Sequence, residues 1–403
     1  MSRLTVLITN IFMTSRSGTE MYVYDLAKNL IQRGHRPIVY TPDMGEVTDE
    51  LRRNSIPVVD RLEKIRETPD VIHGHHTLQT TAALLHFPKT PGIFLCHDFD
   101  AWHDTPPKFD RIGRYVAVDQ TCADRLAHGE GIELERIQIL TNPVDLNLFQ
   151  TRSPLPEKPK RAVVFSSYGT PESIQPIRQA CRQLGIRLDA IGRNFGDVCR
   201  DPYSRLPQYD LVFAKGRCAR EAMAVGCATI YCDVFGMSSL VTAEDVVYLN
   251  QLGRRTLAAP LTTERLVAEI QRYNAADAAE VTRYIRQNNS TDSIYGQLIN
   301  IYEEVIEAYQ QRTDLDPLDE IREMARMAEW WHLTRSQRTA GPPLVRPQVV
   351  MPTPAPVEPK PRGLQYLKHR GKRLWRSIKK RVRRVTQPPV VPAPPVEAPK
   401  KAA

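Results

Sequence analysis

The sequence predicts an α/β protein: two Rossmann-like domains facing each other across a cleft, followed by a disordered, proline-rich tail with one basic amphipathic helix. Three observations predict it. Strand-like and helix-like stretches alternate along residues 1–150 and again from residue 161, and such alternation builds parallel sheets with helices on both faces. Proline and charge dominate 151–160, which reads as a linker between the two runs. The length, 403 residues, exceeds one ordinary core and suffices for two with a remainder.

In the first domain, 1–150, residues 4–9 are an apolar, β-branched run suited to a strand buried on both faces. Residues 20–33 then place Val23, Leu26, Ala27, Leu30 and Ile31 along one side of a helix. Gly34 ends that helix where a left-handed cap is needed, and 37–40 resumes a strand. Further strands are expected at 71–73, 93–96, 115–118 and 137–140. The second domain, 161–312, repeats the scheme with strands at 162–166, 188–191, 211–213 and 229–231. Its helices are expected near 174–184, 219–225, 262–273 and 292–311. Residues 313–339 form a helical extension, in which 315–333 is amphipathic with Leu318, Ile321, Ala325 and Ala328 on one stripe.

Charge is unevenly spread. Residues 340–403 hold 15 Lys/Arg against 2 Asp/Glu, which leaves 40 basic and 44 acidic residues in 1–339. The net charge of +9 therefore belongs to the tail, and a nucleic-acid function read from overall charge is disfavoured. Seven dispersed cysteines without a C-x-x-C pair point to free thiols. No run reaches the roughly 18 to 20 apolar residues of a spanning helix. The N-terminus turns polar too soon for a secretory signal, so a cytoplasmic protein is expected.

Four segments carry candidate chemistry. Ser15-Arg16-Ser17-Gly18-Thr19-Glu20 joins the first strand to the first helix, the place where open α/β sheets bind ligands. Gly18 admits a close approach, and the helix N-terminus offers N–H groups to an anion, although the same residues also suit a plain capped loop. Without a full G-x-G-x-x-G, NAD is not indicated. His73, His75 and His76 put three imidazoles in four residues, but no acidic or cysteine ligand lies near to complete a metal set, so no metal is expected. His97-Asp98 follows an apolar strand and is placed to meet a substrate hydroxyl. Lys215-Gly216-Arg217 sits between a strand and a helix that ends at Gly226, an arrangement that favours a diphosphate. Glu221 lies in that helix's first turns, within reach of ribose hydroxyls.

In chain order these segments resemble the family 4 glycosyltransferases of the GT-B fold. Ser17-Gly18-Thr19-Glu20 is similar to the family's Gly-Gly-x-Glu loop, and Pro69 through His75 to its Pro-Asp-hydrophobic-hydrophobic-His-x-His strand. His97-Asp98 resembles its strand-end pair, and Thr141 through Asp145 with Phe149 its segment before the linker. Glu221-Ala222-Met223-Ala224-Val225-Gly226 resembles its Glu-Ala-Met-Ala-x-Gly helix. The resemblance implies sugar transfer from a nucleotide-sugar to a glycan or lipid-linked acceptor, with retention, without a metal and without a cofactor. It implies an acceptor domain first and a nucleotide domain second. Gly18, Thr19, Lys215, Gly216 and Arg217 would serve the diphosphate and Glu221 the ribose. His97 and Asp98 would act at the transferred sugar, and Glu20, His73 and His75 would stand on the acceptor side. Two residues depart from the pattern. Phe213 stands where the family has the first of two glutamates, and Phe165 through Thr170 carries no cation where the family often has Arg and Lys. A degenerate scaffold that binds nucleotide or glycan, or a sugar-nucleotide epimerase, is the rival expectation.

The tail's expected helix, 363–385, carries ten Lys/Arg and no acid, with Leu374, Trp375, Ile378 and Val382 on its other face. That pattern suits an anionic membrane surface at the cytoplasmic face better than nucleic acid.

Overall fold

Both alternations form sheets. The computed structural model describes residues 3–16, 18–166, 169–234, 236–253, 257–314 and 316–339. Ser17, Ser167, Tyr168 and the tail with its expected 363–385 helix lie outside the described residues. The first lobe holds β1 (Thr5–Thr9), β2 (Phe12–Met13), β3 (Arg36–Tyr40), β4 (Asp43–Met44), β5 (Val58–Val59), β6 (Val71–His75), β7 (Gly92–Cys96), β8 (Ile112–Ala117) and β9 (Ile137–Ile139). Seven of them make one parallel sheet in the order β5-β3-β1-β6-β7-β8-β9, while β2 pairs with β4. The second lobe holds β10 (Arg161–Phe165), β11 (Arg187–Ile191), β12 (Leu211–Ala214), β13 (Ala228–Asp233) and β14 (Gly236–Leu240). Their order is β11-β10-β12-β13-β14, parallel except for the last pair.

Helices α1 (Gly18–Gln32), α2 (Glu46–Arg53), α3 (Thr77–His86) and α4 (Gln120–Asp124) belong to the first lobe. The second adds α5 (Gln175–Gln183), α6 (Pro202–Arg205), α7 (Gly216–Val225), α8 (Val246–Leu252), α9 (Thr263–Gln271) and α10 (Ala275–Asn288). Strand β1 shows why helices cover both faces of a parallel sheet. Val6 and Ile8 join α1's Val23, Leu26 and Leu30 on one side, and Leu7 joins α3's Ala83 and Leu84 on the other. All seven cysteines are free thiols. Among the described residues no helix is long and apolar enough to cross a membrane.

Two C-terminal helices correct the sequence-based expectation. Chain order assigns 292–311 to the second domain, yet α11 (Thr291–Gln310) buries Ile294, Leu298, Tyr302 and Val305 in the first lobe's core. Amphipathic spacing reveals which face of a helix is apolar, not which sheet it will cover. Gly113 on β8 makes room for this return, since a Cβ there would lie 2.8 Å from a Val305 methyl.

Helix α12 (Pro317–Thr339) is turned the other way from its pattern. Its charged side faces inward and clasps segment 102–111. The amides of Asp110 and Lys108 donate to Asp319 Oδ2 (3.2 Å) and Glu323 Oε1 (2.6 Å), and Arg111 pairs with Glu320. Arg326 donates to the Pro106 carbonyl, and Trp330 and Trp331 reach Trp102 with ring centroids 6.1 and 6.0 Å away. The expected stripe of Leu318, Ile321, Ala325 and Ala328 is exposed.

Candidate active site between the lobes

On a strand, residues two apart share a face, so β6 points His73 and His75 the same way. Their rings lie 4.5 Å apart. His73 Nδ1 meets the Tyr302 hydroxyl at 2.5 Å, and His75 Nδ1 meets His97 Nε2, beyond the end of β7, at 2.7 Å. The His75 and His97 rings stack at 4.8 Å, and Tyr22 of α1 stands edge-on to both. Burial lowers the pKa of His73 and of His97 to about 3, and that of His75 well below its usual value. The three imidazoles are therefore neutral at physiological pH. They exchange N–H donors and lone pairs rather than charge.

The loop after β7 assigns its carboxylates differently from the sequence-based expectation. Asp98 Oδ1 accepts the amides of Asp100 (2.7 Å) and Ala101 (2.9 Å), so this expected catalytic group turns its own loop. Asp104, which no motif singled out, is buried and accepts the amides of His97 (3.1 Å) and Asp98 (2.6 Å). Desolvation raises its pKa to about 7, against the pull of those amides and of Arg125. Arg125 donates to the carbonyls of Asp98 and Ala101 and fixes the loop from below.

His76, His103 and Asp104 bring three possible ligand atoms within 4.8 Å of one another. An acidic ligand thus does come beside the histidines, where the sequence-based reading expected none, and the three could hold a metal ion. The Ile11 amide donates to His76 Nδ1 at 3.1 Å, which places that ring's proton on Nε2, the nitrogen facing Asp104 Oδ1 at 3.9 Å. In that tautomer Nε2 presents a proton to Asp104 rather than a lone pair. His73 and His75 do not join this group.

At the first strand–helix turn, Gly18 and Thr19 open α1, Gly18 exposed with clear space around it. Glu20 is fully buried. Its carboxylate accepts the Ser15 amide at 2.7 Å and the Ser15 hydroxyl at 3.1 Å, so it braces the loop instead of lining an acceptor surface. The expectation failed because a short helix-start motif does not tell whether its acid points out or back.

The basic bend of the second lobe faces the first lobe. Gly216 begins α7 at φ +55, a conformation that costs other residues strain, and it turns the chain so that Arg217 points at α1. Arg217 Nη2 lies 2.7 Å from Asp25 Oδ2 across the cleft, and its Nε lies 2.7 Å from Glu221 Oε1. Burial opposes the guanidinium charge, but Asp25 and Glu221 raise its pKa above the usual value. Burial also raises the pKa of Glu221, against the attraction of Arg217. Lys215 Nζ pairs with Asp233 Oδ2 at 2.5 Å, at the end of β13. Beside Asp233 is a shallow recess at the carboxyl ends of β10 and β13, lined by Ser166, Gly169, Ser173 and Leu261 among others. Phe213 is fully buried in the apolar core beside Ile230 and Leu211, away from any polar role.

Helix α1 joins the two halves of the site. Tyr22 touches the histidine stack and Asp25, one turn on, holds Arg217. Asp25, Arg125 and Asp233 were missed because each acts through a partner distant in sequence, and Asp104 because its loop folds back on itself, for which local spacing carries no signal.

With this geometry established, known proteins supply comparisons. Residues 16–148 match Glycosyltransferase Family 4. A glycosyltransferase structure from Rickettsia africae is similar over 76% of this chain and all of its own, with 14% identity and a TM-score of 0.57. Anabaena HepE in complex with UDP and glucose is similar over 75% of this chain and all of its own, with 16% identity and a TM-score of 0.54. At those identities the likeness is one of fold, the GT-B arrangement of two lobes. No curated protein matches the sequence.

Proposed function

This chain is a family 4-like glycosyltransferase of the GT-B fold, and from that premise we propose that it moves a sugar from a nucleotide-sugar donor to a glycan or lipid-linked acceptor. Transfer proceeds with retention, without a metal or cofactor. One observation carries the reading: Arg217, set by a left-handed glycine at a helix N-terminus, points into the cleft and reaches the opposite lobe. Such a guanidinium, the neighbouring Lys215 and the helix-start amides of Gly18, Thr19 and Gly216 suit a departing diphosphate. The bond from the sugar to the diphosphate oxygen breaks with its electron pair on that oxygen. The acceptor hydroxyl forms the new bond to the same carbon, and its proton passes to the diphosphate. Glu221, exchanging Arg217 for ribose hydroxyls, holds the nucleoside. His97 hydrogen-bonds the transferred sugar, with His75 and His73 behind it and Asp104 fixing its backbone.

The bound UDP of HepE makes uridine nucleotides the first donors to test. Calorimetry against nucleoside diphosphates, followed by turnover with the sugar conjugate of the best binder, decides the matter. Lys215→Ala with Arg217→Ala should weaken UDP at least tenfold, the scale of two lost charge-assisted contacts. Unchanged affinity would refute the assignment. A second reading, a scaffold that binds nucleotide without catalysis, is favoured by buried Phe213 in place of the first family glutamate. Binding without turnover would select it. The basic tail supports a place at the cytoplasmic face of an anionic membrane, near a lipid-linked acceptor, since each Lys or Arg there contributes about 1 kcal/mol.

A further inference from the structure

Helix α12 is inverted relative to its own amphipathicity. Its inward side spends Asp319, Glu320 and Glu323 on two amides and an arginine of segment 108–111. Its outward side leaves Leu318 53%, Ile321 61%, Met324 48% and Trp331 38% exposed. These residues, with Ala325 and Ala328, follow one helical stripe from 318 to 331, about 20 Å long at 1.5 Å per residue. A globular protein has no reason to pay charge burial on one side and apolar exposure on the other unless something covers the exposed side. The chain also places the stripe with respect to the cleft. Contacts between α12 and segment 102–111 run antiparallel, from Asp319 at Asp110 to Trp330 and Trp331 at Trp102. The tryptophan end therefore lies at the loop that carries His97 and Asp104.

The chain leaving α12 indicates the cover. Residues 340–403 contain 15 Lys/Arg and 2 Asp/Glu. A second copy of the protein, or the apolar side of 363–385 folded back, would cover the stripe but leave those cations without counter-charge. An anionic bilayer satisfies both at once: acyl chains take the stripe, headgroups take the cations, and tryptophan suits the boundary between them. We propose that the outer face of α12 lies on an anionic lipid surface and holds the His97 loop beside it. This deepens the peripheral-membrane part of the function proposed above and rests on it, but it does not depend on sugar transfer.

The test uses the full chain with Trp375→Phe, which leaves its remaining three indoles in the Trp102–Trp330–Trp331 group. Vesicles of three parts phosphatidylcholine to one part phosphatidylglycerol, with the phosphatidylcholine brominated in the upper acyl chain, should quench its fluorescence. Adding Leu318→Glu and Ile321→Glu should lower vesicle affinity at least tenfold and abolish the quenching. Thermal unfolding should be unchanged, because both side chains are solvent-exposed. Vesicle binding without quenching, or equal binding by the double variant, would overturn the proposal and leave the tail as the sole contact. So would a dimer in sedimentation velocity that the double variant dissolves, since a second copy would then be the cover. Calorimetry with UDP on the same proteins separates the two readings. Lost vesicle binding with intact UDP binding defeats only this one.

Discussion

Replacing His73 by glutamine tests the histidine stack through its protons. His73 is fully buried on β6, and burial, with a smaller push from His97, lowers its pKa to about 3. An unfolded histidine titrates near 6.5. Between those values the unfolded chain binds a proton that the folded chain refuses. Stability therefore rises with pH through that window and levels off above about 6.5. One proton corresponds to about 1.4 kcal/mol per pH unit, so at pH 5 the share of His73 is a loss of about 2 kcal/mol. Glutamine keeps a polar partner for the Tyr302 hydroxyl and does not titrate. Urea denaturation at pH 5 and pH 6 should give His73→Gln a stability slope smaller by about 1.2 kcal/mol per pH unit than the parent, since the unfolded histidine is about nine-tenths protonated on average across that interval. The variant's own offset at pH 7 does not enter, His76 and His97 contribute to both proteins alike, and His75 keeps burial, its largest cause, in both while losing the smaller push from His73. Equal slopes would mean that folded His73 takes up its proton as readily as the unfolded chain, and the neutral stack would have to be abandoned.

Two further predictions follow from contacts that chain order hides. Asp25→Asn removes one of the two carboxylates on Arg217 and should tighten UDP about twofold to fivefold, the scale of a partly exposed ion pair; weaker binding by calorimetry would instead make Asp25 the group that aims Arg217. Gly113→Ala drives a methyl against Val305 and should destabilise the first lobe by about 1 to 3 kcal/mol in thermal or chemical unfolding, with Val305→Ala in the same chain restoring part of the loss. Failure of that rescue would remove α11 from the surface of β8.

Sequence legibility tracked the reach of each interaction. The strands ending at Thr9 and Cys96 were readable because burial on both faces writes a nearly continuous apolar run. The bend at Gly216 was readable because strand, glycine and helix are contiguous. The antiparallel β14 and helices α2, α3 and α10 were not anticipated, their apolar positions being few and broken by polar residues. Pairing lay further out of reach. His75 and His97 meet only because β6 and β7 are neighbours in parallel register, with His75 opposite Leu95. Helix α12 was legible as a helix and misleading in its orientation, since periodicity finds two faces and contact chemistry chooses which one turns inward.

The charge balance at the bend sets the terms for any donor. Lys215 and Arg217 bring two cations, and Asp233, Asp25 and Glu221 meet them with three carboxylates. A diphosphate arriving at that balance gains little unless carboxylates give way, because a cation shared with a carboxylate offers less to a second anion. Those three acids differ in what they can do next. Glu221 is buried, with its pKa already raised, and recovers the loss of Arg217 only by accepting ribose hydroxyls or a proton. Asp25 belongs to the opposite lobe and can be withdrawn by a small movement of α1 away from α7. The Asp25–Arg217 bridge and a donor diphosphate would therefore compete for the same guanidinium. On the function proposed here, a diphosphate gains the full charge of Arg217 only by displacing Asp25, which is why removing that carboxylate is expected to tighten binding.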